Sequence, residues 1–141
     1  MRKIVFVAAI VFAASLGSSP ALADVVARID IFSQRMTVMV DGVVRHVWPV
    51  STARRGYVTP TGSFKPVRME RVWYSTIYHG SPMPYAIFFH HGFAVHGTYE
   101  THALGRPASH GCVRLPTSAA RELYYLVRKY GLVNSRIVVS G

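Results

Sequence analysis

Cysteine is almost absent from this chain: Cys112 is the single one in 141 residues. One thiol excludes an intrachain disulfide framework and a zinc-ribbon type of site. Acidic residues are scarce too, six Asp and Glu against 16 Lys and Arg, for a formal balance of +10. A surface that basic suits an anionic partner: nucleic acid, anionic lipid or an acidic wall polymer. Only 16% of the residues are charged while 50% are hydrophobic, which excludes a disordered or low-complexity chain. Internal repeats and linker-like stretches are missing, so the length fits one folded domain. The longest apolar run, Ile4 to Leu16, falls short of the ~20 residues a spanning helix needs.

That run follows Arg2 and Lys3 and leads into Gly17-Ser18-Ser19-Pro20 and then Ala21-Leu22-Ala23. Charged, apolar and small residues in this order form the pattern of a secretory signal peptide with an A-x-A cleavage site. Residues 1–23 are therefore expected to be a signal peptide and residues 24–141 the exported domain, in the periplasm or cell envelope. Cleavage after Ala23 would remove Arg2 and Lys3 and leave the remaining chain basic. Export removes nucleic acid as a partner and favours envelope polymers. No stable membrane insertion is expected after cleavage.

The exported part reads mainly as β structure. Ala27, Ile29 and Ile31 alternate with Arg28, Asp30 and Phe32, and Met36, Val38 and Val40 alternate with Arg35, Thr37 and Met39. Asp41-Gly42 between two β-prone runs predicts a hairpin, with Val43 to Val50 as the return strand. Phe64 to Met69 and Arg71 to Tyr74 read as further short strands. Tyr85 to His90 and Phe93 to His96 read as buried strands, and Gly97 to Pro107 as a loop. Ala119, Leu123, Leu126, Val127 and Tyr130 mark one face of a helix, with Thr117 or Ser118 as its cap and Gly131 as its stop. Arg136 to Ser140 reads as a closing strand. The expected fold is a β-sandwich or partly open barrel of short strands with one amphipathic helix near the C-terminus.

Chemistry concentrates in His96-Gly97-Thr98 and in Ser109-His110-Gly111-Cys112-Val113-Arg114. Export favours paired cysteines, so a lone one suggests a thiol that is used. A thiolate is the nucleophile, and a neighbouring imidazole can generate it. His110 is two residues away; His96 lies on a separate expected strand. If residues 110–112 are extended, His110 and Cys112 share a face. Backbone N–H groups around Gly111 and Cys112 are then candidates to hold an oxyanion.

Ser-His-Gly-Cys-Val-Arg-Leu preceded by His-Gly-Thr resembles the signature of the L,D-transpeptidase catalytic domain, the YkuD domain family. The hairpin ending in Val50-Ser51-Thr52, the turn Thr59-Pro60-Thr61-Gly62-Ser63-Phe64 and the stretch from Met83-Pro84-Tyr85 to Thr98 are similar to family features as well. One departure is Arg114, where the family pattern often has Asn. The resemblance implies that Cys112 attacks the L-centre carbonyl of the diamino acid at position three of a donor peptidoglycan tetrapeptide. D-Ala leaves, and a thioester forms that an amine of a second stem, or of an envelope protein, resolves. It implies His96 as general base, oriented through the Gly97 carbonyl, His110 as a residue lining the site, and Gly111 as part of the oxyanion site. Arg114 and Arg106 become candidates for gripping stem carboxylates, and Ser109 and Tyr85 for contacting donor substrate. Acylation of Cys112 by carbapenems is a further implication, and no cofactor is expected.

Three other functions compete. A metal site would draw on His79, His90, His91, His96, His102, His110 and Cys112, but zinc-type spacings are missing and adjacent His90 and His91 point to opposite faces of a strand. A non-catalytic wall-binding module would explain the basic surface and not the Ser109-to-Cys112 block. Water as acceptor would make the protein a peptidoglycan hydrolase or carboxypeptidase with the same nucleophile.

Overall fold

The computed structural model describes residues 23–141, so the expected signal peptide falls outside the described residues except for Ala23. Among the described residues no helix is long and apolar enough to cross a membrane. Nine strands and one α-helix follow one another: β1 (Val25–Asp30), β2 (Arg35–Val40), β3 (Val43–Pro49), β4 (Gly62–Phe64), β5 (Arg68–Glu70), β6 (Ala86–His90), β7 (Phe93–Thr98), β8 (Val113–Pro116), α1 (Thr117–Tyr130) and β9 (Ser135–Ser140). They form a five-stranded sheet ordered β3-β2-β1-β9-β4 and a four-stranded sheet ordered β5-β6-β7-β8. The mainly β, two-sheet expectation with one late helix holds.

Alternation builds the first sheet. Val25, Ala27 and Ile29 of β1 and Met36, Val38 and Val40 of β2 are buried, while their neighbours point away. Asp41 at φ 49° and Gly42 at φ 77° make the tight turn into β3. β3 is the sheet edge, and Pro49 ends it, where the missing N–H interrupts no ladder. β9 pairs in parallel with β1, which joins the end of the chain to its first strand.

Three expectations need correction. Phe64 to Met69 is not one strand: β4 belongs to the five-stranded sheet and β5 to the other, and Pro66 lies between them. A residue without an N–H cannot continue a ladder, so the chain changes sheets there. Arg71 to Tyr74 contributes only an isolated bridge between Tyr74 and Pro82. Neither Thr117 nor Ser118 caps α1: Pro116 takes the cap position, and the Thr117 hydroxyl donates instead to the Thr98 carbonyl at 3.1 Å. The stop is as expected, with the Gly131 N–H donating to the Val127 carbonyl at φ 95°.

One main core joins both sheets and the helix. Val95, Val113 and Leu115 of the four-stranded sheet meet Ala119, Leu123 and Val127 of α1 and the buried face of β1 and β2. The helix packs chiefly on β7, and Gly97 permits that approach. A Cβ on Gly97 would lie 3.0 Å from the Thr117 Cα and 3.1 Å from the Pro84 Cγ. Gly97→Ala should therefore destabilise the fold by ~1–3 kcal/mol, the usual range for overpacking. Urea denaturation checks this; an unchanged midpoint would contradict the close packing.

Candidate active site

Side-chain alternation divides the four-stranded sheet into a core face and a second face. Ile87, Phe89, Val95, Val113 and Leu115 join the main core, whereas Ala86, Phe88 and Ala94 gather with Met83, Trp73 and Cys112 on the other side. His96 is two residues from Ala94, and Arg114 two from Cys112, so both belong to the second face. β7 and β8 run parallel with His96 opposite Arg114. The Ala94 N–H donates to the Cys112 Sγ at 3.4 Å, which puts Cys112 beside Ala94. His96 and Cys112 are thus diagonal neighbours on one sheet face, ~7–8 Å apart in backbone position. Both line a cavity of about 590 Å³.

The thiol is presented by a turn. Residues 109–112 precede β8, so the expectation that His110 and Cys112 share a strand face is corrected. The buried Ser109 hydroxyl donates to the Cys112 carbonyl at 2.6 Å and accepts the Gly111 N–H at 3.0 Å. The Thr59 hydroxyl donates to the Gly111 carbonyl at 2.8 Å and accepts the Ala53 N–H at 3.0 Å. Gly111 has φ 137°, and a Cβ there would fall 2.5 Å from the Phe93 ring and 2.9 Å from the Val58 carbonyl. Gly111 is required for shape. Its N–H donates to the Ser109 hydroxyl, whereas the Cys112 N–H beside the thiol has no partner among the described residues. Ser109 lines the cavity, but its hydroxyl is spent holding this turn.

His96 is 5% exposed, and its Nδ1 lies 2.7 Å from the Gly97 carbonyl. A carbonyl only accepts, so Nδ1 carries the proton and donates, and Nε2 keeps a lone pair. Burial drives the His96 pKa down to about 4; the Gly97 bond opposes this, and the Arg114 charge reinforces it. Burial also pushes the Cys112 thiol up, against the Ala94 N–H and the Arg114 charge, which favour thiolate. The resting pair is therefore an uncharged thiol beside an uncharged imidazole acceptor. Arg114 Nη1 lies 3.5 Å from the Glu100 carboxylate, with the guanidinium largely enclosed and Glu100 in solvent.

His110 reaches the cavity from the same turn. Its ring stacks on Tyr78 at 4.1 Å and meets Tyr57 edge-on at 4.7 Å. Arg54 Nη2 lies 2.9 Å from its Nε2. Guanidinium only donates, so this imidazole is neutral with its proton on Nδ1. Partial burial and the Arg54 and Arg114 charges hold its pKa below the usual value.

The cavity gathers Cys112, His96, His110, Ser109 and Arg114. It does not gather Tyr85 or Arg106. Tyr85 sits at φ 54° with its ring against Tyr124 and Tyr125, so it faces the helix. Arg106 is exposed outside the cavity, and its carbonyl accepts the Ser51 hydroxyl at 2.8 Å. Sequence reasoning missed Arg68, Trp73, Tyr78, Met83, Phe93 and Glu100, all of which line the cavity. The aromatic density between Trp73 and Tyr85 was the available signal, but aromatics fill cores as often as they line sites. No group of three or more metal-ligating side chains gathers among the described residues.

The YkuD family, described as the L,D-transpeptidase catalytic domain, matches residues 24–139. The chain belongs to that family. No curated protein matches the sequence. Among solved structures, an L,D-transpeptidase from Mycobacterium tuberculosis H37Rv is 27% identical with a TM-score of 0.74, over 84% of this chain and 58% of that one. An L,D-transpeptidase from Stackebrandtia nassauensis is 27% identical with a TM-score of 0.74, over 92% of this chain and 62% of that one. L,D-transpeptidase 3 from Mycobacterium tuberculosis, in complex with a faropenem-derived adduct, is 26% identical with a TM-score of 0.71, over 84% of this chain and 60% of that one. This chain thus spans about three-fifths of the length of these L,D-transpeptidases.

The ionisation state is directly measurable, because Cys112 is the single thiol. Iodoacetamide reacts with thiolate, so its rate on Cys112 should climb steadily with pH through and beyond the ordinary thiol range. Arg114→Gln should slow it further, since the Arg114 charge favours the thiolate. A flat, fast rate across about pH 5 to 8 would mean a preformed thiolate–imidazolium pair and contradict this site.

Proposed function

We propose that this member of the L,D-transpeptidase family is a peptidoglycan L,D-transpeptidase acting in the cell envelope. The observation that carries the reading is the shared cavity of Cys112 and His96, with the His96 Nε2 lone pair held available by the Nδ1–H bond to Gly97. As the thiol attacks the L-centre carbonyl of the third stem residue, its proton passes to His96 Nε2 and a carbon–sulfur bond forms. The oxyanion is held by the Cys112 N–H. Collapse breaks the carbon–nitrogen bond, and His96 returns the proton to the departing D-Ala amine. An acceptor amine then attacks the thioester, loses its proton to His96 and releases the thiol. The acceptor is an amine of a second stem or of an envelope protein. The export pattern of residues 1–23 and the strongly basic sequence agree with an anionic wall polymer as the place of work.

A neutral imidazole of low basicity suits this cycle. It returns its proton readily to the leaving amine, and proton uptake from the thiol accompanies carbonyl attack. His110, neutral, stacked on Tyr78 and met edge-on by Tyr57, positions the turn that carries the nucleophile. Arg114 supplies positive charge next to both reacting groups.

Incubation with purified tetrapeptide muropeptides should yield cross-linked dimers and free D-Ala, read by mass spectrometry. Cys112→Ala should abolish both, and His96→Ala should lower the rate by at least ~100-fold, the usual scale for a lost general base. Tripeptide without dimer would mean that water is the acceptor. Full activity of Cys112→Ala would overturn the reading. The solved relative with a faropenem-derived adduct supports a companion expectation: faropenem should add to Cys112 and to no other residue.

A further inference from the structure

Beyond the reacting pair, the cavity contains an arginine whose role the mechanism leaves open. Arg68 pairs in register with Phe88, and Phe88 with Ala94. The Ala94 N–H donates a hydrogen bond to the Cys112 Sγ. Arg68, Phe88, Ala94 and Cys112 therefore form one row across β5, β6 and β7 to the turn before β8. The Arg68 guanidinium carbon lies 4.0 Å from the Phe88 ring centroid and 4.5 Å from that of Trp73. The head group is thus drawn inward from β5 over β6 and held against two aromatic rings. From β6 to the nucleophile just before β8 is two strand spacings, ~10 Å.

Contact with aromatic faces leaves the in-plane N–H groups of a guanidinium free to bond. Glu70 lies 3.3 Å from Arg68 Nη1, but both side chains are well exposed, and such a pair contributes little. It leaves the other nitrogens of the fork available. Arg114, the other guanidinium lining the cavity, sits opposite His96. The leaving amine must lie against His96 to take its proton, so the leaving group occupies that side. His96 stands two residues along β7 from Ala94, to one side of the row, so the row itself, over Ala94 to Phe88 and Arg68, is left for the retained part of the donor. Two extended residues span ~7 Å, and a guanidinium–carboxylate contact adds ~3 Å.

We propose that Arg68 is a specificity-determining anchor that reads a free carboxylate on the acyl donor, carried by the residue that precedes the one with the reacting carbonyl. The inference rests on the proposed transpeptidase reading, and a donor with that carboxylate neutralised should be discriminated against. The planar fork matters, because a lysine ammonium cannot pair in bidentate fashion or lie flat on Phe88 and Trp73.

Binding to the Cys112→Ala protein tests this without turnover. Titration calorimetry would use a synthetic tetrapeptide with a free carboxylate on the residue before the diamino acid, and the same peptide with that group amidated. Amidation should weaken binding about tenfold. Adding Arg68→Gln should weaken the carboxylate peptide by a similar factor and leave the amide peptide nearly unchanged. Arg68→Lys should fall between, and it guards against a folding defect in the Gln variant. Equal binding of the two peptides by Cys112→Ala, undiminished binding of the carboxylate peptide by Arg68→Gln, or no saturable binding of either peptide would overturn the proposal. Retained discrimination with no D-Ala release by the Cys112 protein would sink the transpeptidase reading alone.

Discussion

The site depends on one hydrogen bond, from the His96 Nδ1–H to the carbonyl of the next residue, Gly97, at 2.7 Å. It selects the tautomer and so decides that Nε2, the other ring nitrogen, is an acceptor. The carbonyl that makes this bond belongs to the residue against which the start of α1 packs. The Thr117 hydroxyl, released from capping the helix, donates to Thr98 and ties the helix start to the same strand. Helix docking and imidazole orientation are therefore one structural event.

The nucleophile is held by different means. A turn that only glycine can occupy, braced by Ser109 within and Thr59 from outside, delivers Cys112 to the edge of β8. These bonds fix the shape of the turn while its thiol remains half-buried in the cavity wall. Burial discourages charge on both reacting groups, and Arg114 biases both towards their less protonated forms. An uncharged state suits a lone thiol, since a neutral thiol is less open to oxidation than a thiolate.

The sequence made the architecture legible wherever period and punctuation agreed. β1, β2 and the Asp41-Gly42 turn follow from strict alternation around a known turn pair, and α1 ends where Gly131 stands. The failures have physical causes. Pro66 broke an apparently continuous strand into two that serve different sheets. A proline filled the cap position of α1 and freed its threonine for another bond. Cys112 and His96 were readable as chemistry, but the Arg54 guanidinium on His110 and the row from Arg68 to Cys112 were not. Both depend on register between distant segments, which local pattern does not encode. Tyr85 shows the converse: its place in a family-like stretch suggested substrate contact, while a left-handed backbone angle turns its ring onto the helix.

The central claim is that His96 is neutral, protonated on Nδ1 and held far from charging. Nitrogen-15 NMR of histidine-labelled protein, titrated with pH and assigned with a His96→Gln variant, measures this directly. Because burial disfavours its charged form, the His96 ring should stay uncharged as pH falls through 6.5 and should charge only near 4. At neutral pH its Nδ1 should give the shift of a protonated nitrogen and its Nε2 that of a bare one. An imidazolium signal from His96 persisting at neutral pH, or a proton on Nε2 in place of Nδ1, would contradict the account.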